Sequence, residues 1–182
     1  MRAYFFGNMY LSSIQQGIQA AHAVHEMFIR YPDSHLTSNN RANGTPPFDG
    51  DFLWDWAVDH KTMILLNGGY AETIQELVDF FKKSDNPYPW ADFHEEEASL
   101  NGALTTVGIV LPEKIYLTAA AIRNDPNHHE LGSIRNLVWA DGELAIGVDN
   151  TMGFDIDQQV VLEFSKWEAQ LMDRLNGFNM AS

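Results

Sequence analysis

No cysteine occurs among the 182 residues. Disulfides, zinc-thiolate centres and thiol nucleophiles are therefore excluded, and a reducing compartment is compatible. Positive charge is also scarce, with 11 Lys and Arg against 25 Asp and Glu and a formal charge of −14. That field repels phosphate backbones, which makes a long nucleic acid a disfavoured partner. No apolar run approaches the ~18 residues of a membrane span, and the aromatic run Tyr4-Phe5-Phe6 is too short for a signal-peptide core. The expectation is a soluble cytoplasmic protein with no membrane contact. Several motifs are missing as well: Gly-x-Ser-x-Gly, Gly-x-Gly-x-x-Gly, Gly-Lys-Ser/Thr and His-x-x-x-His. A serine-hydrolase elbow, a dinucleotide fingerprint and a helical metal pair thus find no support. No metal or cofactor is expected.

What is present suits a folded domain, since 45% hydrophobic and 12% aromatic residues fill one sizeable core, or a core with an appendage. Tyr4 to Phe6 reads as a short strand passing through Gly7-Asn8 into a long helix that reaches Tyr31. Pro32 to Asp51 is rich in turn formers and reads as a long connection. Phe52, Leu53, Trp54 and Trp56, set among aspartates, suggest one or two helical turns. Lys61 to Leu66 is a compact strand, and Asn67-Gly68-Gly69 a turn or a weak anion cradle. Ala71 to Lys83 is amphipathic, with Ile74, Leu77, Val78 and Phe81 on one face. Strand, helix, strand, helix points to a βαβ unit with a parallel pair. Leu104 to Leu111 reads as a buried strand beyond the acidic run His94-Glu95-Glu96-Glu97.

The first helix carries the leading site candidates. Gln15, Gln19, His22 and Glu26 recur at i, i+4, i+7 and i+11, one polar line on a helix. Ile14, Ile18, Ala21, His25 and Phe28 form a neighbouring line, and Ala20, Val24, Met27 and Tyr31 another. The helix is expected to bury most of its girth, with the polar line either solvated or lining a cleft. Asp92 and Thr105 form an acid-hydroxyl pair at strand ends, or cap turns. His94 beside three glutamates and the pair His128-His129 lack ligand spacing, and a solvated charge run explains the former. Trp54, Trp56, Trp90 and Phe93 either stack on a base or pack.

The order of elements resembles the PTH2-type peptidyl-tRNA hydrolases over Met1 to Pro112. Gly17-Ile18-Gln19-Ala20-Ala21-His22-Ala23 is similar to the family's Ala-Ala-Gln-x-x-His-Ala helix. Thr105-Thr106-Val107-Gly108-Ile109-Val110-Leu111-Pro112 is similar to its late Thr-Val-Leu-Gly-Ile-Gly-Pro strand, and Asp92 stands where that family has an Asp. The resemblance implies a three-layer α/β/α fold around a small mixed sheet for residues 1–112, within the α/β class. It also implies catalytic roles for Asp92, Thr105 and a water-orienting His22. The departures are cationic. Ser12-Ser13-Ile14-Gln15 replaces a Gly-Lys-Gly-Lys run, and the loop's Gly-Arg-Thr gives way within His94 to Glu97. Without those cations the electrophilic stabilisation of ester cleavage and the hold on tRNA are both missing.

Residues 113–182 go beyond that pattern as a C-terminal α+β extension. Ile115 to Ile122 suggests a helix. Leu137 to Ala140 and Glu143 to Val148 flank Asp141-Gly142 as a β-hairpin. Gln158 to Asn176 reads as a helix capped by Asp155 or Asp157, with Val160, Phe164, Trp167, Leu171 and Leu175 packing on its own core or on a second subunit. The functional expectation is a protein that binds or sequesters a small polar, nucleotide-like ligand. Its ligand set is Asn8, Gln15, Gln19, His22, Glu26, Asp92, His94 and Thr105, and a homodimer or higher oligomer is an expected state. The alternative is a peptidyl-tRNA hydrolase-like esterase.

Overall fold

The computed structural model describes residues 1–32, 51–124, 137–140, 143–146, 160–161 and 164–181. The chain divides into two units, Met1–Pro112 with Phe178–Ser182, and Glu113–Gly177. Four expectations fall outside the described residues: the connection 33–50, the pair His128-His129, the caps Asp155 and Asp157, and the Asp141-Gly142 turn.

In the first unit, β1 (Arg2–Gly7) leads into α1 (Ser13–Arg30). The helix starts at Ser12 because its hydroxyl accepts from the Gln15 amide while the Gln15 side chain accepts from the Ser12 amide, a reciprocal box. Next comes α2 (Asp51–Asp55), continuing as a π-helical turn over Trp56–His60 that Lys61 ends in a left-handed conformation. Then follow β2 (Met63–Asn67), α3 (Ala71–Phe81), β3 (Trp90–His94), the single turn α4 (Glu97–Leu100) and β4 (Leu104–Leu111). The strand order is β2-β1-β4-β3. β1 and β2 are parallel, whereas β4 runs antiparallel to both β1 and β3. The sheet is thus mixed, and β4, buried at every position, lies inside it.

Alternation along β1 sends Ala3 and Phe5 to one face and Phe6 to the other. Ala3 and Phe5 cluster with Ala20, Ala23 and Met27 of α1, with Leu53 and Trp56 completing that core. Phe6 instead meets Phe81 of α3, at 6.2 Å between rings, and Phe178, at 4.8 Å. Helices therefore cover both faces. Gly108 is what lets α1 lie close. A Cβ there would stand 2.5 Å from the Phe5 ring and 2.9 Å from Met27 Cε.

Both edge strands are partly engaged along their outer sides, which shortens the open backbone that invites pairing with other chains. Along β2, the Asn67 amide donates to Asn179 O, and the Ala181 amide to Leu65 O. Along β3, Arg30 donates to Trp90 O at 3.1 Å, and the Trp90 amide donates to the Tyr31 hydroxyl at 3.4 Å.

The second unit holds α5 (Glu113–Asn124), β5 (Leu137–Ala140), β6 (Glu143–Ile146), β7 (Val160–Val161) and α6 (Lys166–Asn176), its sheet ordered β6-β5-β7. β5 and β6 are the expected hairpin strands, with Ala140 opposite Glu143. The helix expected from Gln158 is shorter. Val160 and Val161 pair with β5, and α6 begins only after Ser165, which shares a capping box with Glu168. Two β-branched residues favour the strand, and the Ser-x-x-Glu signal fixes the later start. Trp167, Leu171 and Leu175 are buried, and Glu168 pairs with Lys114 of α5 at 2.8 Å.

The first helix departs from its expected burial. Gln19 on the polar line is only 6% exposed, whereas Ile14 is 77% and Ile18 50% exposed. α1 lies over β3 and β4 as well as β1, so part of the polar line turns into the interface and the isoleucine line turns outward.

Candidate functional site

Thr105 owes its position to a break in strand pairing. Phe93 stands opposite Thr106, but His94 stands opposite Leu104, so Thr105 is an extra residue on β4. Such a bulge re-aims a side chain. Here it brings the Thr105 hydroxyl to α1, where it donates to Gln19 Oε1 at 3.0 Å, with Phe93 O at 3.3 Å as a second acceptor. The other end of the Gln19 amide donates to Glu95 Oε1 at 2.7 Å. A buried amide needs both ends paired, and these contacts supply them. Glu95 is itself fixed through its amide, which donates to Ala103 O.

His22, one turn after Gln19, is exposed and lies flat on Phe93, with rings 4.6 Å apart and tilted by 13°. The pair makes an aromatic platform beside the Gln19 network.

Asp92 sits elsewhere. Alternation along β3 puts Ala91 and Phe93 toward α1 and Trp90 and Asp92 toward the α3 face, where Trp90 meets Phe81 at 6.1 Å. Arg30 reaches around the edge strand, stacks 4.1 Å above the Trp90 ring and donates to Asp92 Oδ1 at 2.9 Å. His94 Nε2 lies 3.3 Å from Asp92 Oδ2, and its Nδ1 is 3.0 Å from Gly102 O. Both ring nitrogens therefore lie within reach of oxygen atoms. Burial alone would push the Asp92 carboxyl up. The Arg30 hydrogen bond, a backbone amide and the charges of Arg30 and His94 outweigh it and hold the group below its ordinary value.

The sequence-derived candidates thus separate into groups. Gln19 and Thr105 meet directly, with His22 alongside on Phe93, while Asp92 and His94 form a second cluster with Arg30. Asn8 joins β1 to α1. Its amide donates to Thr105 O at 2.9 Å, and its side chain accepts from the Tyr10 amide, as in an Asx turn. Gln15 is occupied in the helix cap, and Glu26 is half-buried. Trp56 is buried, donating to Thr62 O, so neither it nor Trp90 offers an open ring face for stacking.

Two contributors escaped the sequence reading. Arg30 was findable, because it extends the line 15, 19, 22, 26 by four residues. Glu95 had no distinguishing signal within its acidic run. Among the described residues no three His, Asp or Glu side chains converge on a metal position. A cavity of about 390 Å³ opens on α3, lined by Glu72, Gln75, Glu76, Asp79 and Leu104. Three of its lining side chains are carboxylates, which disfavours an anion there. No family model and no curated protein matches the chain, which leaves this geometry to carry the functional reading.

Proposed function

We propose that residues 1–112 form a PTH2-like scaffold that binds a small nucleotide-like molecule and does not cleave an ester. The observation that carries this reading is the Glu95–Gln19–Thr105 chain of hydrogen bonds beside the His22–Phe93 stack. One face of the His22 ring rests on Phe93, and the other receives a planar base. The carboxylate of Glu95, held in place by the buried Gln19 amide, is the group type that reads a base edge by accepting from an exocyclic amine. The ligand's phosphate end lies toward the start of α1, whose first turn bears no acid. A small ligand fits the chain's charge, since one phosphate needs only a few donors while a polyanion would meet the whole field.

The esterase alternative would employ Asp92, Thr105 and His22. Against it, Asp92 is committed to Arg30 and His94, and the Thr105 hydroxyl points at Gln19 Oε1 and Phe93 O, amide oxygens that do not take up its proton. Calorimetry against mono-, di- and cyclic nucleotides tests the reading. At least one should give saturable heat, and His22→Ala, an exposed change, should weaken it by roughly 5- to 150-fold, the loss of one stacking contact. Silence across the panel at millimolar concentration overturns the proposal. Turnover of an N-blocked aminoacyl-tRNA, abolished by Asp92→Ala, would establish the esterase instead.

A further inference from the structure

The outward line of α1 is the feature that neither the core nor the candidate site employs. Ile14 is 77%, Ile18 50% and Ile29 70% exposed, and Ala21 and His25 between them are exposed too. At positions 14, 18, 21, 25 and 29 these side chains fall on one face of the helix. Three isoleucines in a single exposed row are not the scattered apolar residues of an ordinary surface. The row spans about 22 Å at ~1.5 Å per residue.

We propose that this row is a homodimer interface, in which α1 packs antiparallel on α1 of a second copy across a two-fold axis beside Ala21. Spacing is the first argument. Ile14 and Ile29 are equidistant from the midpoint between Ala21 and His22, and so are Ile18 and His25. Antiparallel pairing therefore sets Ile14 against Ile29 of the partner subunit, and Ile18 against His25 of the partner subunit. That self-complementarity is what an isologous contact requires. Ala21, the smallest side chain in the row, sits at the crossing, where two helix axes come closest.

Charge is the second argument. At −14 the chain repels a copy of itself over most of its surface, yet no exposed residue of α1 is acidic. A basic partner would find no carboxylate on this face, whereas a second copy finds it free of repulsion. Area is the third. The row, flanked by the exposed Gln15, supplies on the order of 600 Å² per copy, the lower end for a specific dimer, so micromolar affinity is expected.

Size-exclusion chromatography with light scattering should return twice the chain mass at about 100 µM, where a dimer of ~10 µM affinity is largely formed. Ile14→Glu and Ile29→Lys, each alone, should give monomers of unchanged circular dichroism that melt with the wild-type protein at dilutions where it too is monomeric. Both positions are exposed, and each charge suits the helix dipole at its end. The double variant should dimerise again, in a salt-sensitive way. Within one chain positions 14 and 29 are too far apart to pair, so only the antiparallel contact can join them. A wild-type monomer overturns the proposal, as does a dimer indifferent to both single changes. A double variant that stays monomeric overturns the antiparallel register. Single variants that melt lower without dissociating a dimer would mean the chain covers this face itself, which also overturns it.

Discussion

Gly108→Ala puts the packing of α1 on the sheet to a direct test. Gly108 pairs with Phe5 across the central strands. The added methyl would stand 2.5 Å from both Phe5 Cδ1 and Cε1, and 2.9 Å from Met27 Cε. Carbon atoms in contact normally keep ~3.5–4.0 Å apart, so the overlap with the ring is roughly 1 Å. Met27 can bend away because its side chain is unbranched. Phe5 cannot, being 1% exposed and enclosed by Ala3, Ala20, Ala23 and Val110. The expected loss is about 1–3 kcal/mol, toward the upper end, because rigid aromatic atoms are the ones displaced. Melting temperature should fall by roughly 2–12 °C. Urea unfolding followed by tryptophan fluorescence measures the loss, and Phe5→Leu supplies the partner for a double-mutant cycle. If methyl and ring compete for one space, the double variant loses at least ~0.5 kcal/mol less than the sum of the singles. Strict additivity, or a Gly108→Ala cost below ~0.5 kcal/mol, would refute the claimed close approach.

Three other outcomes are expected. Because the Asp92 carboxyl is held below its ordinary value, its ionised pairing supports the fold fully above pH ~4 and is lost as pH falls through the folded value. Asp92→Asn should accordingly flatten the acid limb of the stability–pH curve, and an unchanged limb would show the pairing to be energetically idle. Arg30→Met removes the bonds to Asp92 and Trp90 O and the charge over the Trp90 ring. It should cost about 1–2 kcal/mol and speed amide exchange along residues 90–94 more than along β4. Ser12→Ala breaks the capping box of α1 and should cost ~1 kcal/mol in chemical denaturation, with Ser12→Asp losing little.

Local pattern decided a good deal. Leu104 to Leu111 is apolar enough to announce a strand buried on both faces, and it is buried at every position. The face of α3 bearing Ile74, Leu77, Val78 and Phe81 was visible from spacing, and those residues are buried, with Phe80 buried beside them. The hairpin strands flanking Asp141-Gly142 were likewise legible, because a two-residue Asp-Gly link strongly favours antiparallel neighbours. Each signal is carried by residues within one or two turns of each other.

Spacing on α1 defined its lines of residues but not which line would turn inward. Periodicity reports which side chains share a face, while burial depends on what that face meets. Gln19 is buried because Glu95 and Thr105, 76 and 86 residues away, satisfy its amide. Ile14 and Ile18 are left outside because the sheet lies on the opposite side of the helix. Strand order and the bulge at Thr105 likewise assign Asp92 to Arg30 and Thr105 to Gln19 instead of to one another. Hydrogen bonds spanning 60 residues or more exist only once the strands have chosen their neighbours. The sequence by itself therefore determined the elements and their apolar faces. Only the tertiary structure decided which polar groups meet, because that choice depends on pairings that no local pattern encodes.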